Sequence, residues 1–147
     1  LAHDCQLGSH IIMANLAQLA GHVHLGDWVF VGGQSGIHQF VRVGAHAMTG
    51  FQTRLSQDVP PFVTVAGSPA AAQGVNQEGL RRRGFSPERI SLIKKMHRLL
   101  YRENLTLQAS REAIGAMGKG EATVAGAEAD VTAMLEFLGR AERGIVR

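Results

Sequence analysis

Residues 1–48 read as eight consecutive six-residue units: LAHDCQ, LGSHII, MANLAQ, LAGHVH, LGDWVF, VGGQSG, IHQFVR and VGAHAM. An aliphatic residue opens every unit (Leu1, Leu7, Met13, Leu19, Leu25, Val31, Ile37, Val43). Ala or Gly follows in all but one, where His38 stands instead. The fifth place is small or β-branched throughout, from Cys5 and Ile11 to Val41 and Ala47. A helix repeats about every 3.6 residues and a strand about every two, so neither produces a hexad. A fixed period of six marks a parallel β-helix, each unit forming one flat face of a solenoid. The opening aliphatic then points inward, and the small second residue is expected at a corner with little room for a side chain.

Three such faces make one coil, so residues 18 apart stack at the strand spacing of roughly 4.8 Å. His3 lies below Gly21 and Gln39, Asp4 below His22 and Phe40, and His10 below Trp28 and His46. The hexad weakens after Met48, and Pro60-Pro61 are expected to break the ladder because proline donates no amide. Phe62–Ala66 reads as a last strand. From Asn76 the period becomes helical. Asn76 can cap a short helix ending at Gly84, and Ser86-Pro-Glu is a strong second start. Ile90, Ile93, Met96, Leu99 and Leu100 then form one apolar stripe. Thr106 can cap a third helix to about Met117, with a break at Gly118-Lys-Gly120, and Val131, Met134, Leu135 and Leu138 mark a fourth. The expected division is a β-helix over 1–75 and an α-helical subdomain over 76–147.

The single Cys excludes an intrachain disulfide, and its inward fifth place favours a packed, inert thiol. No stretch approaches the ~20 apolar residues that span a membrane. The net charge is +3, but only Arg42 and Arg54 precede residue 80, leaving 13 of the 15 basic residues in the second half. That asymmetry suits an acidic partner or a phosphate, and solvated helix faces explain it equally well. No glycine-rich phosphate loop or serine-nucleophile motif is present, and nothing beyond the basic helices supports nucleic-acid binding. The chain opens on Leu, in mid-pattern and without Met, so it is expected to be the C-terminal part of a longer protein.

Six of the seven histidines fall within the repeats. His10, His24 and His46 read as surface or intercoil packing residues, and His97 as an exposed helix residue. His3 differs because Asp4 follows it and Gly21 stacks over it. Free imidazole titrates near pH ~6.5, so it can act as a base at neutral pH. A carboxylate on its other nitrogen fixes the tautomer. Neighbouring strand residues point to opposite faces, but at a corner that alternation fails and contact becomes possible. The bare Gly21 amide could face a developing oxyanion. His38 breaks the Gly/Ala column, and with His3, His22 and Gln39 it forms a polar patch over successive coils. A patch between subunits is the structural alternative. No metal or cofactor is expected. His10 and His46 lie two coils apart, as two ligands of a zinc-binding hexad solenoid would, but the third position is Phe51.

Five stretches together are specific: Ala2-His-Asp-Cys5, Asn15–His22, Gly36-Ile-His-Gln-Phe40, Gln57-Asp-Val-Pro-Pro61 and Gly74–Phe85. In these, and in the closing Arg143-Gly-Ile-Val-Arg147, the chain resembles the hexapeptide-repeat O-acyltransferases that begin lipid A synthesis. The resemblance implies a left-handed parallel β-helix followed by helices. It further implies a cytoplasmic homotrimer that moves a 3-hydroxyacyl group from acyl carrier protein to the 3-hydroxyl of UDP-N-acetylglucosamine, with no cofactor. By resemblance, His3 is the general base, Asp4 its orienting acid and Gly21 the oxyanion donor. His22, His38 and Gln39 match sugar- and nucleotide-contacting positions. Asn76, Glu78, Arg82 and Arg83 match positions around the nucleotide and its phosphates. Phe51 stands at a chain-length determinant, where a bulky ring implies a shorter acyl group. The resemblance also implies substrate contacts from coils preceding Leu1, so this stretch alone is expected to be poorly active. Alternatives from the residues themselves are an acyl-coenzyme A enzyme of the same repeat class, or a non-catalytic trimer that docks a carrier protein.

Overall fold

A computed structural model describes residues 1–120, 124–141 and 144–147. The chain divides into two compact units, Leu1–Asn76 with Ala141–Arg147, and Gln77–Arg140.

The first unit is a parallel β-solenoid. Its two-residue strands recur every six residues: β1 (Gln6–Leu7), β2 (Ile12–Met13), β3 (Gln18–Leu19), β4 (His24–Leu25), β5 (Phe30–Val31), β6 (Gly36–Ile37), β7 (Arg42–Val43), β8 (Met48–Thr49) and β9 (Arg54–Leu55). Every third strand pairs, giving one face of β1, β4 and β7, one containing β2, β5 and β8, and one of β3, β6 and β9. The register is 18 residues, with Gln6 opposite His24 and Gln18 opposite Gly36. The opening aliphatics Leu19, Leu25, Val31, Ile37 and Val43 are at most 3% exposed, and the fifth-place Val23, Val29, Val41 and Ala47 are sealed. Burying one such aliphatic side chain contributes about 1.5–3 kcal/mol.

The turn itself was not legible in the hexad. It falls at the fourth place of every unit, where Asp4, His10, Leu16, His22, Trp28, Gln34, Phe40, His46 and Gln52 all adopt φ between +55° and +65°. None is glycine, and the left-handed conformation costs about 1–2 kcal/mol for a residue with a Cβ. From Leu19 onward, two buried side chains per unit offset that cost. The turns are also tied by coil-to-coil bonds such as His22 N–H to His3 C=O at 3.0 Å and Phe40 N–H to Gly21 C=O at 3.0 Å.

The ladder does not break at the prolines. Gly44 N–H donates to Val59 C=O at 2.8 Å and Phe62 N–H to Ala45 C=O at 3.0 Å. What changes is the register, because Val59 pairs with Val43 and Thr64 with Met48. The coil is two residues short, and the bonds that join it to the coil below are donated by Gly44 and Phe62, so the missing amides of Pro60 and Pro61 do not interrupt them. Nor is Phe62–Ala66 the last strand. β10 (Val63–Ala66) is followed by β11 (Ala71–Val75), which folds back antiparallel to it.

The end of the chain returns to this unit and is not part of the helical subdomain. Asp58 bridges Ile145, Val146 N–H donates to Asp58 C=O at 2.9 Å, and Ile145 and Val146 are buried. The tail thereby pairs the open edge of the final coil, an interaction with no periodic signature. Arg143, which opens the closing stretch noted above, lies outside the described residues. Cys5 is half-buried, and its thiol donates to Ala20 C=O at 3.2 Å.

The second unit holds α1 (Gln77–Arg82), α2 (Pro87–Tyr101), α3 (Leu107–Gly120) and α4 (Ala127–Gly139). Ser86 and Thr106 cap as expected, accepting from Arg89 N–H and Ala109 N–H. The buried stripe of α2 is Leu92, Ile93, Met96 and Leu100. No break occurs at Gly118-Lys-Gly120. A Cβ on Gly118 would come within 2.9 Å of Val131, so this glycine lets α4 approach a continuous helix. Arg89 forks onto Asp130 at 2.6 and 2.9 Å, joining α2 to α4. His97 is half-buried, not exposed, and burial followed by the charge of Arg102 lowers its pKa. Among the described residues, no helix is long and apolar enough to cross a membrane.

Candidate active site

The histidine-rich corner of the solenoid is assembled by the fourth-place turn. Asp4 has φ +59°, so its side chain does not alternate away from its neighbour as it would in a strand. Asp4 Oδ2 lies 3.0 Å from His3 Nδ1. An ionised carboxylate only accepts, so in this contact Nδ1 carries the proton and Nε2 is left as a lone-pair nitrogen. One coil above stands Gly21. A Cβ there would lie 2.8 Å from His3 Cε1 and 2.9 Å from Nε2. Glycine is therefore what admits the imidazole. Third-place amides stay outside the coil-to-coil ladder. That of Ser9 is taken by Asp27 Oδ1 at 2.8 Å, while among the described residues the Gly21 N–H has no partner.

His22 completes the cluster. Its Nε2 lies 3.7 Å from Asp4 Oδ2, its ring meets His3 edge-on at 5.1 Å, and it stacks on Phe40 at 4.7 Å. The hydrogen bond from His3, and next the charge of His22, hold the Asp4 carboxyl below its ordinary 3.8; desolvation opposes them weakly. All three side chains open to solvent, at 74%, 66% and 41% exposure for His3, Asp4 and His22. One donor atom from each lies within 4.8 Å of the others, a set that could hold a metal ion.

Gln39 sits in the same column two coils above His3, about 10 Å away by the strand spacing, and is exposed, as is His38. His38 does not strain a tight corner. The crowded second places are Gly8, Gly26, Gly32 and Gly44, where a Cβ on Gly26 would fall 2.6 Å from Ala45 N. His38 belongs to the column of Ala2, Ala20 and Ser56, beside an open groove of about 570 Å³ that Arg54 also lines.

Other candidates fall elsewhere. Phe51 is 64% exposed at the third corner, its ring over Gly33. Asn76 is buried and donates to His46 C=O at 3.0 Å, at the second corner. Glu78 pairs with Arg81 at 2.8 Å and Arg82 at 3.2 Å within α1 of the helical unit, and Arg83 follows that helix. His10 and His46 cannot share a metal, because Trp28 is stacked between them at 4.0 and 6.4 Å. The count of 18 places these three residues in one column, and the structure adds that their rings stack flat.

A family model described as UDP N-acetylglucosamine O-acyltransferase, domain 2, matches residues 58–146. The acyl-[acyl-carrier-protein]–UDP-N-acetylglucosamine O-acyltransferase of Leptothrix cholodnii is 58% identical over 147 residues, all of this chain and 55% of that protein. The structure of LpxA from Acinetobacter baumannii superposes with a TM-score of 0.89 at 38% identity, covering 98% of this chain and 54% of that one. The UDP-N-acetylglucosamine O-acyltransferase of Moraxella catarrhalis gives 0.89 at 32% identity, covering 98% and 53%. The chain spans about half the length of the curated relatives it matches.

Proposed function

The chain belongs to the UDP-N-acetylglucosamine O-acyltransferase family, and from that premise we propose that it forms the catalytic corner of an enzyme acylating the 3-hydroxyl of UDP-N-acetylglucosamine from a 3-hydroxyacyl carrier protein. The observation that carries this reading is the contact of His3 Nδ1 with Asp4 beneath the bare amide of Gly21. With Asp4 holding the Nδ1 proton, His3 Nε2 removes the proton from the sugar hydroxyl. The oxygen attacks the thioester carbonyl, whose developing oxyanion receives the Gly21 N–H. Collapse breaks the carbon–sulfur bond, and the imidazolium returns its proton to the departing thiolate. A thioester is already activated, so no acyl-enzyme is required. Base catalysis contributes ~10²–10⁴-fold, and each oxyanion donor adds to it.

His22, His38 and Gln39, exposed around the same corner, contact the sugar and nucleotide. Asn76, Glu78, Arg82 and Arg83 serve the nucleotide and its phosphates, for which a guanidinium fork is suited. Phe51 limits acyl length. It stands at a different corner from His3, so one chain cannot supply both groups to one substrate. A homotrimer, each site lying between two chains, reconciles them and covers the exposed Ile12, Leu16 and Phe51. Substrate contacts from coils preceding Leu1 belong to the same reading.

The test is donor and acceptor profiling of the full-length protein by mass spectrometry. Acylation of UDP-N-acetylglucosamine from carrier-protein thioesters, faster than from coenzyme A thioesters, is expected. A strict coenzyme A requirement moves the chain to the other enzyme class, and no turnover with any donor favours a docking trimer. In the same assay Phe51→Gly shifts preference towards longer chains. Preference for the longest chain in the unaltered enzyme, unmoved by that substitution, refutes the role of Phe51.

A further inference from the structure

We infer that His3 Nδ1, Asp4 Oδ2 and His22 Nε2 form a binding site for a divalent transition-metal ion such as Zn²⁺, and that its occupancy turns the corner off. The binding half stands on geometry alone; the inhibition half rests on the function proposed above. Zinc bound at about 2.0–2.1 Å by imidazole and carboxylate in tetrahedral array places its ligand atoms about 3.3 Å apart. Here Asp4 Oδ2 is 3.0 Å from His3 Nδ1 and 3.7 Å from His22 Nε2, bracketing that separation. Two imidazoles and one carboxylate select zinc-like ions over Mg²⁺ or Ca²⁺, which require oxygen ligands. The stack of His22 on Phe40 fixes its ring without using Nε2. The three side chains face solvent, so an ion enters directly and keeps one position for water.

The consequence for the base follows from the tautomer. In the free corner the proton sits on Nδ1, against Asp4, and Nε2 is the acceptor. A metal takes the lone pair of Nδ1 only if the proton moves to Nε2. The nitrogen facing Gly21 then donates and can no longer accept a proton from a hydroxyl. Asp4 is drawn to the metal in the same event.

ZnCl₂ titrated into the full-length protein, followed by equilibrium dialysis, is expected to bind one ion per chain at micromolar concentrations. Co²⁺ in its place should give the visible absorption of a tetrahedral site. Turnover should fall in parallel and return on adding EDTA. His22→Phe keeps the stack on Phe40 but removes the nitrogen, and should weaken Zn²⁺ binding by ~10–100-fold, at least the loss seen when a ligand's supporting partner is removed. His10→Ala, on the next corner, should leave binding unchanged. No binding below millimolar Zn²⁺, or binding lost in His10→Ala and kept in His22→Phe, overturns the site. Stoichiometric binding that leaves turnover untouched overturns the inhibition, and with it the role of His3 as base, while the metal site stands.

Discussion

The first and second corners of the solenoid share a backbone and differ in chemistry. Both turn at a left-handed fourth place, and both carry histidine and aspartate. At the first corner Asp4 occupies the turn and reaches His3 beside it. At the second, Asp27 occupies the third place, and its carboxylate is held by the Ser9 N–H one coil below. His10 there is stacked flat on Trp28. Among the described residues Asp27 is held by backbone and pairs with no imidazole, whereas Asp4 pairs with two. One step along the hexad thus separates a structural aspartate from one free to work with a base.

The widest separation between the corners is expected in turnover. His3→Ala should lower kcat of the full-length protein by ~10²–10⁴-fold while UDP-sugar binding persists, and His10→Ala should change it less than about twofold. Equal losses would erase the distinction. Next, Gly21→Ala drives a methyl into the His3 ring, and a displacement of about 1 Å costs up to ~10²-fold in kcat. Gly36→Ala, with nothing within 4 Å of the added Cβ, should be silent. Third, Asp27→Ala should destabilise the protein by about 1 kcal/mol through the lost Ser9 bond, seen as a lower Tm with kcat unaltered. The converse holds for Asp4→Ala, which should cost activity and leave Tm in place.

The smallest effect is the titration of Asp4. Its carboxyl should titrate below 3.8 by NMR, and His3→Ala should raise that midpoint more than His22→Phe does. Because the folded-state value is depressed, the associated stability is present above 3.8 and lost as pH falls through the lower value. Exposure keeps it small. A midpoint at or above 3.8 would mean that the two side chains do not interact in solution.

Much of the solenoid was legible because its core is periodic. The columns that join His3 to Gly21, Asp4 to His22 and His10 to Trp28 follow from a count of 18. The shortened coil at Val59 and the tail over Asp58 were not legible, since each replaces the period by a single local pairing. His38 was misjudged because crowding at the second place depends on which face the unit forms. On one face the column is Gly8, Gly26 and Gly44; on another it admits Ala20, His38 and Ser56. The unbroken α3 was hidden for a similar reason, as Gly118 answers to Val131 across the helix pair and not to its own neighbours in sequence.

The sequence by itself determined the repeat, the identity of the stacked residues and the family likeness, because a six-residue period has one periodic way to bury its aliphatics. Only the tertiary structure decided that Asp4 turns back to touch His3 while Asp27 does not. That choice rests on the left-handed turn and on the coil below, and neither is visible in the order of the residues.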